Sequence, residues 1–397
     1  MFRILLLGCL IGACAQPRPD TEAEVRRIAG DVIPRVEAAV GLTFTAEPEI
    51  AVRSRAQVAG YLVARMAADF PEDKLGHIAT AYRLFGLIGD TTDLRALVLN
   101  LLSEQVAGFY DPDSTTLYVV EGTDPVFLRT VLAHELVHAL QAQYMPLDSL
   151  LDPRGNNDRQ MAIQAVLEGQ ATLASLSAMV DEATLAQLDN FWRDVRESLR
   201  QQQESSMPAF ASAPLIFREG LVFPYLAGAD FMRWFTSAFP GAQPFGARMP
   251  RSTEQILHPE RYRDGDEPVS LRFAEHGAAV PLYQDSWGEF ETRIVLQELT
   301  GSESLGTAGA LGWDGDQYGV FVVGDDHALV WWSVWDGDRA AEKFATMLRR
   351  YWAPERPGST RRWTVDRRTL GERTAVLLVD APGAWLGWND VPEVTIR

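Results

Sequence analysis

Five consecutive residues of this chain, His134-Glu135-Leu136-Val137-His138, have the types and spacing that metal-dependent chemistry requires. Residues four positions apart share one face of an α-helix, so His134 and His138 can bind a single metal ion. Glu135 directly follows the first histidine, where a carboxylate can act as a general base in hydrolysis. Apolar neighbours and the absence of Gly and Pro from residue 127 to 144 predict a buried helix. The alternative is a structural helix whose histidines are satisfied in the core.

A third ligand is needed, because a catalytic zinc site normally has three protein ligands and one open position. Cysteine is excluded, since both cysteines of the chain lie before residue 15, and the next histidine after the motif is His258. Glu168 is the predicted third ligand. It is an acid in an apolar helical stretch, and such a group is costly to bury without a partner charge. Weaker candidates on loops or polar helix edges are Glu182, Asp148 and Asp152.

The first residues are typical of an export signal and not of a folded domain. Arg3 precedes an apolar run over residues 4–11, which is too short to span a bilayer. Ile11-Gly12-Ala13-Cys14 then resembles a bacterial lipobox, and ordinary signal cleavage after Ala15 is the alternative. We therefore expect residues 1–15 to be a signal peptide. The mature protein is expected to be an extracytoplasmic envelope lipoprotein anchored to the membrane only through Cys14, or otherwise periplasmic or secreted.

The remaining composition is that of a folded globular protein, and the net charge of −18 argues against a nucleic-acid partner. Hydrophobic periodicity predicts a mostly helical part up to residue 265 and a strand-rich part after it. Eight of the eleven tryptophans follow residue 300, where we expect them to pack a core and not to form an aromatic binding face. The predicted helices are 21–40, 55–68, 72–87, 92–104, 124–144, 159–180, 182–203, 225–239 and 339–351, with a β-hairpin at 106–120 and strands at 318–323, 327–334, 361–365 and 374–379.

Together these stretches resemble the gluzincins, metallopeptidases that carry H-E-x-x-H on one helix and a glutamate ligand on a second. More narrowly, the chain resembles bacterial lipoproteins and secreted proteins of the minimal gluzincin kind. These share a G-F-Y-D-P hairpin, an H-E-L-x-H-A-L-Q helix and an E-G-x-A helix. The matching stretches here are residues 108–112, 134–141 and 168–171, and residues 252–259 and 312–316 also look similar. The resemblance covers roughly residues 100 to 320, and its metal motif is far more specific than the rest.

The resemblance implies a mostly helical zincin-like catalytic domain at 20–265, with a β-hairpin beside the motif helix. The strand-rich pattern after it predicts a small α+β module at 266–397, so the expected fold class is α+β. The resemblance also implies Zn²⁺ held by His134, His138 and Glu168, with Glu135 assisting the attack of zinc-bound water on a peptide bond. Related enzymes stabilise the oxyanion with a downstream Tyr or His, for which Tyr225 and His258 are the candidates. The alternative for Tyr225 is a helix residue that packs on the core, and the alternative for His258 is a histidine in a turn before Pro259.

One position departs from the family pattern. Many gluzincins carry an Asp four residues after the glutamate ligand, which orients a ligating histidine, and this chain has Thr172 there. Thr172, a backbone carbonyl or a more distant Asp must then accept the imidazole N–H. The expected activity is a zinc metallopeptidase acting on a peptide or protein. The alternative is a non-catalytic zinc-binding envelope lipoprotein with a binding or scaffold role. A di-iron site is disfavoured because no second E-x-x-H is present.

Overall fold

A computed structural model of the chain describes residues 6–8, 22–123, 125–151, 156–179, 207–274, 280–352 and 360–397. Within these residues the fold is mixed α+β, which confirms the predicted fold class. The helices are α1 (Glu22–Val40), α2 (Arg55–Asp69), α3 (Glu72–Leu84), α4 (Leu94–Gln105), α5 (Pro125–Tyr144), α6 (Leu147–Leu150), α7 (Asn157–Met179), α8 (Pro208–Ser212), α9 (Leu215–Ala238), α10 (Thr253–Leu257), α11 (Pro259–Asp264), α12 (Gly288–Thr300), α13 (Glu303–Ala310) and α14 (Asp338–Tyr351). The strands are β1 (Leu6–Gly8), β2 (Glu49–Arg53), β3 (Val106–Asp111), β4 (Thr116–Val120), β5 (Leu271–Phe273), β6 (Tyr283–Asp285), β7 (Trp313–Val323), β8 (Asp326–Trp335), β9 (Arg361–Leu370), β10 (Arg373–Pro382) and β11 (Val394–Ile396).

Local sequence signals explain several of these boundaries. Ser54 begins α2 with a capping box shared with Gln57, and Asp93 caps α4 through its side chain. Gly41 ends α1 in the left-handed conformation, at a φ of 75°. The predicted start of α9 at Tyr225 is wrong, because the helix begins ten residues earlier and continues through Pro224. A proline removes one intrahelical hydrogen bond and favours a helix start, so the sequence pattern was misleading there.

The first sheet has the order β1-β3-β4-β2, in which β3 and β4 form the expected hairpin and β2 lies parallel to β4. Successive side chains point to opposite faces of a strand. Tyr110 and Val119 therefore pack against α1 and α5, whereas Phe109 and Val120 pack against α2, α3 and α4. The motif helix α5 is thereby covered by the sheet on one side. Helices α1 and α7 cover its other sides.

The second sheet is antiparallel in the order β6-β7-β8-β10-β9, and it has apolar side chains on both faces. Trp331 faces α12 and α14, and the next residue, Trp332, packs towards the small β5–β11 sheet. Trp313, Trp331, Trp335 and Trp352 are each 1% exposed, as expected for core tryptophans. One hydrophobic core contains residues of α7, α9, α12, β7 and α14, so it extends across residue 265.

A buried carboxylate holds β7 against the start of α12. Asp316 accepts hydrogen bonds from the indole nitrogens of Trp313 and Trp331 at 3.2 and 3.0 Å. It also accepts from the backbone N–H groups of Trp287 and Gly288, both at 3.0 Å, and from the hydroxyl of Ser286 at 2.7 Å. Because a buried charge needs this many donors to be tolerated, we regard Asp316 as a structural clamp.

Helices α7 and α9 touch through their backbones. A Cβ placed on Gly169 would lie 2.1 Å from the carbonyl carbon of Gly228, and one placed on Gly228 would lie 1.9 Å from the carbonyl oxygen of Ala165. Neither distance leaves room for a methyl group, so glycine is required on both helices. This contact fixes how α9 lies across the middle of α7.

Gly228→Ala should therefore destabilise the protein. The added methyl group must push the two helices apart, and overpacking of this kind costs about 1–3 kcal/mol. Urea unfolding of the purified protein measures the change in the free energy of unfolding. Gly60→Ala is the matched control, because Gly60 is an exposed residue of α2 with nothing within 4 Å of an added Cβ. That substitution should stabilise by about 0.5–1 kcal/mol. Equal stability of Gly228→Ala and the wild type would contradict the close helix crossing.

Candidate metal centre

The motif helix α5 is buried from residue 131 to residue 141. Leu132, Leu136 and Leu140 are 0% exposed, and so are Glu135 and His138, while His134 is 1% exposed. An α-helix that is apolar on all sides lies within a core, and the charged residues on it need partners there. These partners come from the neighbouring helix α7.

The structure brings together the three predicted ligands. The Nε2 atom of His134 lies 3.0 Å from Oε2 of Glu168 and 3.1 Å from Nε2 of His138, and His138 Nε2 lies 3.4 Å from the same Glu168 oxygen. Two donor atoms bound to one tetrahedral zinc lie about 3.3 Å apart, given Zn–N distances of about 2.05 Å. Three buried donor atoms thus converge with separations that a metal ion fits.

The charges of this triad are coupled. Burial opposes the charged form of Glu168, but the adjacent imidazoles of His138 and His134 dominate and lower its pKa to about 2. Burial likewise opposes protonation of His138, and the Glu168 carboxylate nevertheless raises the pKa of His138 to about 9. Burial lowers the pKa of His134. Glu168 is therefore a carboxylate at neutral pH, which is the form that binds a metal.

Glu135 lies beneath strand β3. A Cβ on Gly108 would be 3.5 Å from Cγ of Glu135 and only 2.7 Å from a methyl carbon of Val131. Only glycine allows the strand to pass this close to α5, which gives a physical reason for the glycine of the G-F-Y-D-P stretch. The result is that the carboxylate predicted to act as a base lies directly beneath strand β3.

Tyr225 of α9 is also brought to the triad. Its ring stacks on the imidazole of His134 with centroids 5.9 Å apart, and its hydroxyl interacts with Glu168. Burial, followed by the negative charges of Glu168 and Glu135, raises the pKa of Tyr225 well above its usual value. The phenol therefore keeps its proton at neutral pH and remains a hydrogen-bond donor.

His258 is placed elsewhere. It lies between α10 and α11, where its Nε2 is 3.0 Å from Oε1 of Glu289. Helix α10 is joined to α7 by a hydrogen bond, in which Asp158 accepts the Thr253 backbone N–H at 2.8 Å. Asp158 is ten residues before Glu168, or about 15 Å along the helix axis. His258 thus belongs to a separate acidic cluster, where the Glu289 hydrogen bond raises its pKa. The only local sequence feature of His258 is the following Pro259, so its contact with Glu289 could not be predicted from the sequence.

Sequence reasoning missed Gln141. Its Oε1 lies 2.9 Å from Nδ1 of His138, so it accepts the imidazole N–H and leaves Nε2 as the ligand atom. Thr172, expected as one possible acceptor, has a buried hydroxyl with no hydrogen-bond partner among the described residues. The only feature of the sequence that could have indicated this contact is the spacing, because a residue three positions after His138 lies on the same face of the helix.

A cavity of about 120 Å³ opens beside the triad. Glu168 and Tyr225 line it, and apolar side chains of α3, α4 and α9 form much of its walls. Gln105 also lines it, and the Nε2 of Gln105 has no hydrogen-bond partner in the described part of the chain. Four residues of the C-terminal part also line it: Tyr283, Asp285, Glu291 and Tyr318.

Several expectations fall on residues that the structure does not describe. Cys14, Asp152, Glu182 and the predicted helix 182–203 lie outside the described residues, and the side chain of Asp148 is not described either. None of the helices in the described ranges combines the length and apolar character that a membrane span requires.

Comparison with known proteins gives one match, to the model of a protein family. A family model described as a domain of unknown function (DUF8575) matches residues 280–388, which are 109 of the 397 residues. That range contains β6 to β10 and helices α12, α13 and α14, but none of the metal triad. No curated protein and no solved structure matches the chain. A functional proposal must therefore stand on the site itself.

Glu168→Gln tests the metal centre. The amide keeps the shape of the side chain and removes its charge. Loss of a residue that only hydrogen-bonds to a metal ligand typically lowers metal affinity about 10–100-fold, and loss of the ligand itself should lower zinc affinity by more than that. Metal analysis after dialysis and competition with a chromogenic chelator measure this loss. His258→Gln serves as the control and should retain one zinc per chain. Equal zinc binding by Glu168→Gln and the wild type would remove Glu168 from the ligand set.

Proposed function

We propose that the chain is a zinc-dependent peptidase of the gluzincin type that acts outside the cytoplasm, as its predicted leader implies. The observation that carries this proposal is the convergence of His134, His138 and Glu168 within hydrogen-bonding distance of one another, beside a buried acid on the same helix. Two imidazoles and one carboxylate are a ligand set that zinc accepts in catalytic sites. A purely structural zinc site has no use for Glu135.

A bound zinc ion would supply a Lewis acid for the scissile carbonyl and would lower the pKa of a water molecule. Glu135 accepts the proton of the attacking water and delivers it to the leaving amine, because its carboxylate lies next to the first ligand on α5. Tyr225 donates a hydrogen bond to the developing oxyanion, since its phenol is protonated and faces Glu168. His258 takes no part in this proposal.

An extended peptide is the substrate that the neighbouring strand favours. Strand β3 pairs through its outer edge with β1, antiparallel, with Leu7 opposite Gly108 and Leu6 opposite Phe109. Since β1 belongs to the segment predicted to be a leader, the mature protein would leave this edge open for another strand. Main-chain hydrogen bonds to an edge strand are a common way to bind peptides without regard to sequence. A peptide bound there would run past Glu135.

The cavity next to the triad supports apolar side chains on the substrate. Its walls include Val98, Leu101 and Leu102 of α4, together with Ile78 and Leu221. Burial of one large aliphatic side chain there would contribute about 1.5–3 kcal/mol to binding. The amide of Gln105 offers an N–H donor for a peptide carbonyl at the same surface.

Glu135→Gln should slow peptide cleavage by about 100- to 10,000-fold and leave zinc binding intact. The amide cannot accept the proton, and loss of a general base costs about 100- to 10,000-fold in rate. Cleavage of a fluorogenic peptide library, with metal analysis of the same preparations, makes both measurements. Glu121→Gln, on an exposed turn, is the matched control. Stoichiometric zinc without any Glu135-dependent cleavage would favour the non-catalytic zinc-binding lipoprotein instead.

Tyr225→Phe should lower kcat by about 100- to 1,000-fold, the usual effect of losing one oxyanion donor, with little change in KM or zinc content. The phenyl ring keeps the stacking on His134 and only the hydroxyl is lost. Tyr144→Phe removes an exposed hydroxyl at the end of α5 and provides the comparison. An unchanged kcat for Tyr225→Phe would assign the oxyanion donor to another group.

A further inference from the structure

A chain of three glutamine amides leads away from the metal centre. Gln141 Oε1 accepts from His138 Nδ1 at 2.9 Å, and Gln141 Nε2 donates to Gln170 Oε1 at 3.0 Å. Gln170 Nε2 donates to Gln243 Oε1 at 3.0 Å, and Gln243 Nε2 donates to the backbone carbonyl of Val40 at 2.8 Å. We name Gln141, Gln170 and Gln243 the amide relay. It connects α5, α7, the segment after α9 and the last residue of α1.

The direction of every amide in the relay is fixed by backbone carbonyls, which can only accept. Gln141 Nε2 also donates to the Leu167 carbonyl at 3.1 Å, so the NH₂ group of Gln141 must face α7 and its oxygen must face His138. At the far end, the Val40 carbonyl requires the NH₂ group of Gln243. The oxygen of Gln243 then faces Gln170, whose own oxygen must face Gln141. Both ends of the relay demand the same orientation.

This orientation determines the tautomer of a metal ligand. An amide oxygen next to Nδ1 of His138 requires a proton on Nδ1, so in the neutral imidazole the lone pair of Nε2 is directed at His134 and Glu168. A reversed amide would place an NH₂ group against Nδ1 and favour the wrong tautomer. The relay prevents that reversal by occupying both hydrogen-bonding ends of Gln141.

We propose that Gln141 is the positioning residue of His138 and that Gln170 and Gln243 hold it in place, so that an amide relay supplies the orienting acceptor for His138. The proposal rests on the metal site of the proposed function. Thr172 takes no part, because its buried hydroxyl has no hydrogen-bond partner in the described ranges. A neutral acceptor also avoids a further negative charge beside Glu135 and Glu168 in a site where Gln141 is 0% exposed.

The test compares the zinc affinity of Gln141→Met and Gln141→Glu by chelator competition. Methionine has a similar volume and no acceptor for His138, so affinity should fall about 10–100-fold. Glutamate keeps the acceptor, so its loss should be smaller, about tenfold or less. If Gln141 merely fills space, the order reverses, because methionine packs well and glutamate adds a buried charge. Affinity of Gln141→Met equal to or above that of Gln141→Glu therefore overturns the proposal.

Thermal unfolding of the zinc-free protein shows whether Gln141→Glu folds, and two further variants keep the test decisive if it does not. Gln170→Met removes the hydrogen-bond acceptor of Gln141 Nε2 and should weaken zinc binding by a few-fold. Thr172→Val should leave zinc binding unchanged. Nitrogen-15 spectra of His138 in zinc-free wild type and zinc-free Gln141→Met, taken at a pH at which the imidazole is neutral, report the tautomer directly. An Nδ1–H tautomer that persists in Gln141→Met contradicts the relay. A wild-type protein that binds no zinc defeats the proposed metal centre itself, which is a separate outcome.

Discussion

The backbone contact between α7 and α9 is the constraint on which the rest of the structure depends. Gly169 and Gly228 meet with no space for a side chain between them. Glu168 immediately precedes one of these glycines, and Tyr225 lies almost one helical turn before the other. The packing contact therefore also places the carboxylate and the phenol in one site. Helix α5 then needs only to lie along α7 to present His134 and His138 to Glu168.

A buried site of this kind must balance its charges whether or not a metal is bound. Without a cation, burial opposes a proton on His138, yet the Glu168 carboxylate raises the pKa of His138 to about 9. The pair is then an imidazolium and a carboxylate at neutral pH. A divalent cation held by His134, His138 and Glu168 would take the place of that proton as the positive partner of Glu168. His138 thus provides a positive partner for the Glu168 carboxylate when no cation is present.

The sequence predicts the parts of the site that local rules determine. Residues 134, 135 and 138 lie within two turns of one helix, so their relation follows from helical geometry alone. Glu168 could be found because an acid within an apolar helix needs a partner. Gln141 and His258 could not be assigned from the sequence, because their roles depend on contacts distant in sequence. The first depends on the Leu167 carbonyl and Gln170, and the second on Glu289.

The change in sequence character at residue 265 does not separate the site from the rest of the chain. Tyr283 and Tyr318, which lie in the range matched by the domain of unknown function, line the same cavity as Glu168. Asp316 holds β7 to the start of α12 through five hydrogen-bond donors, and α12 packs on α7 and α9. The C-terminal sheet is thus a wall of the cavity beside the metal triad. Residues of α7 and α9 and residues of the range matched by the domain of unknown function therefore line one cavity.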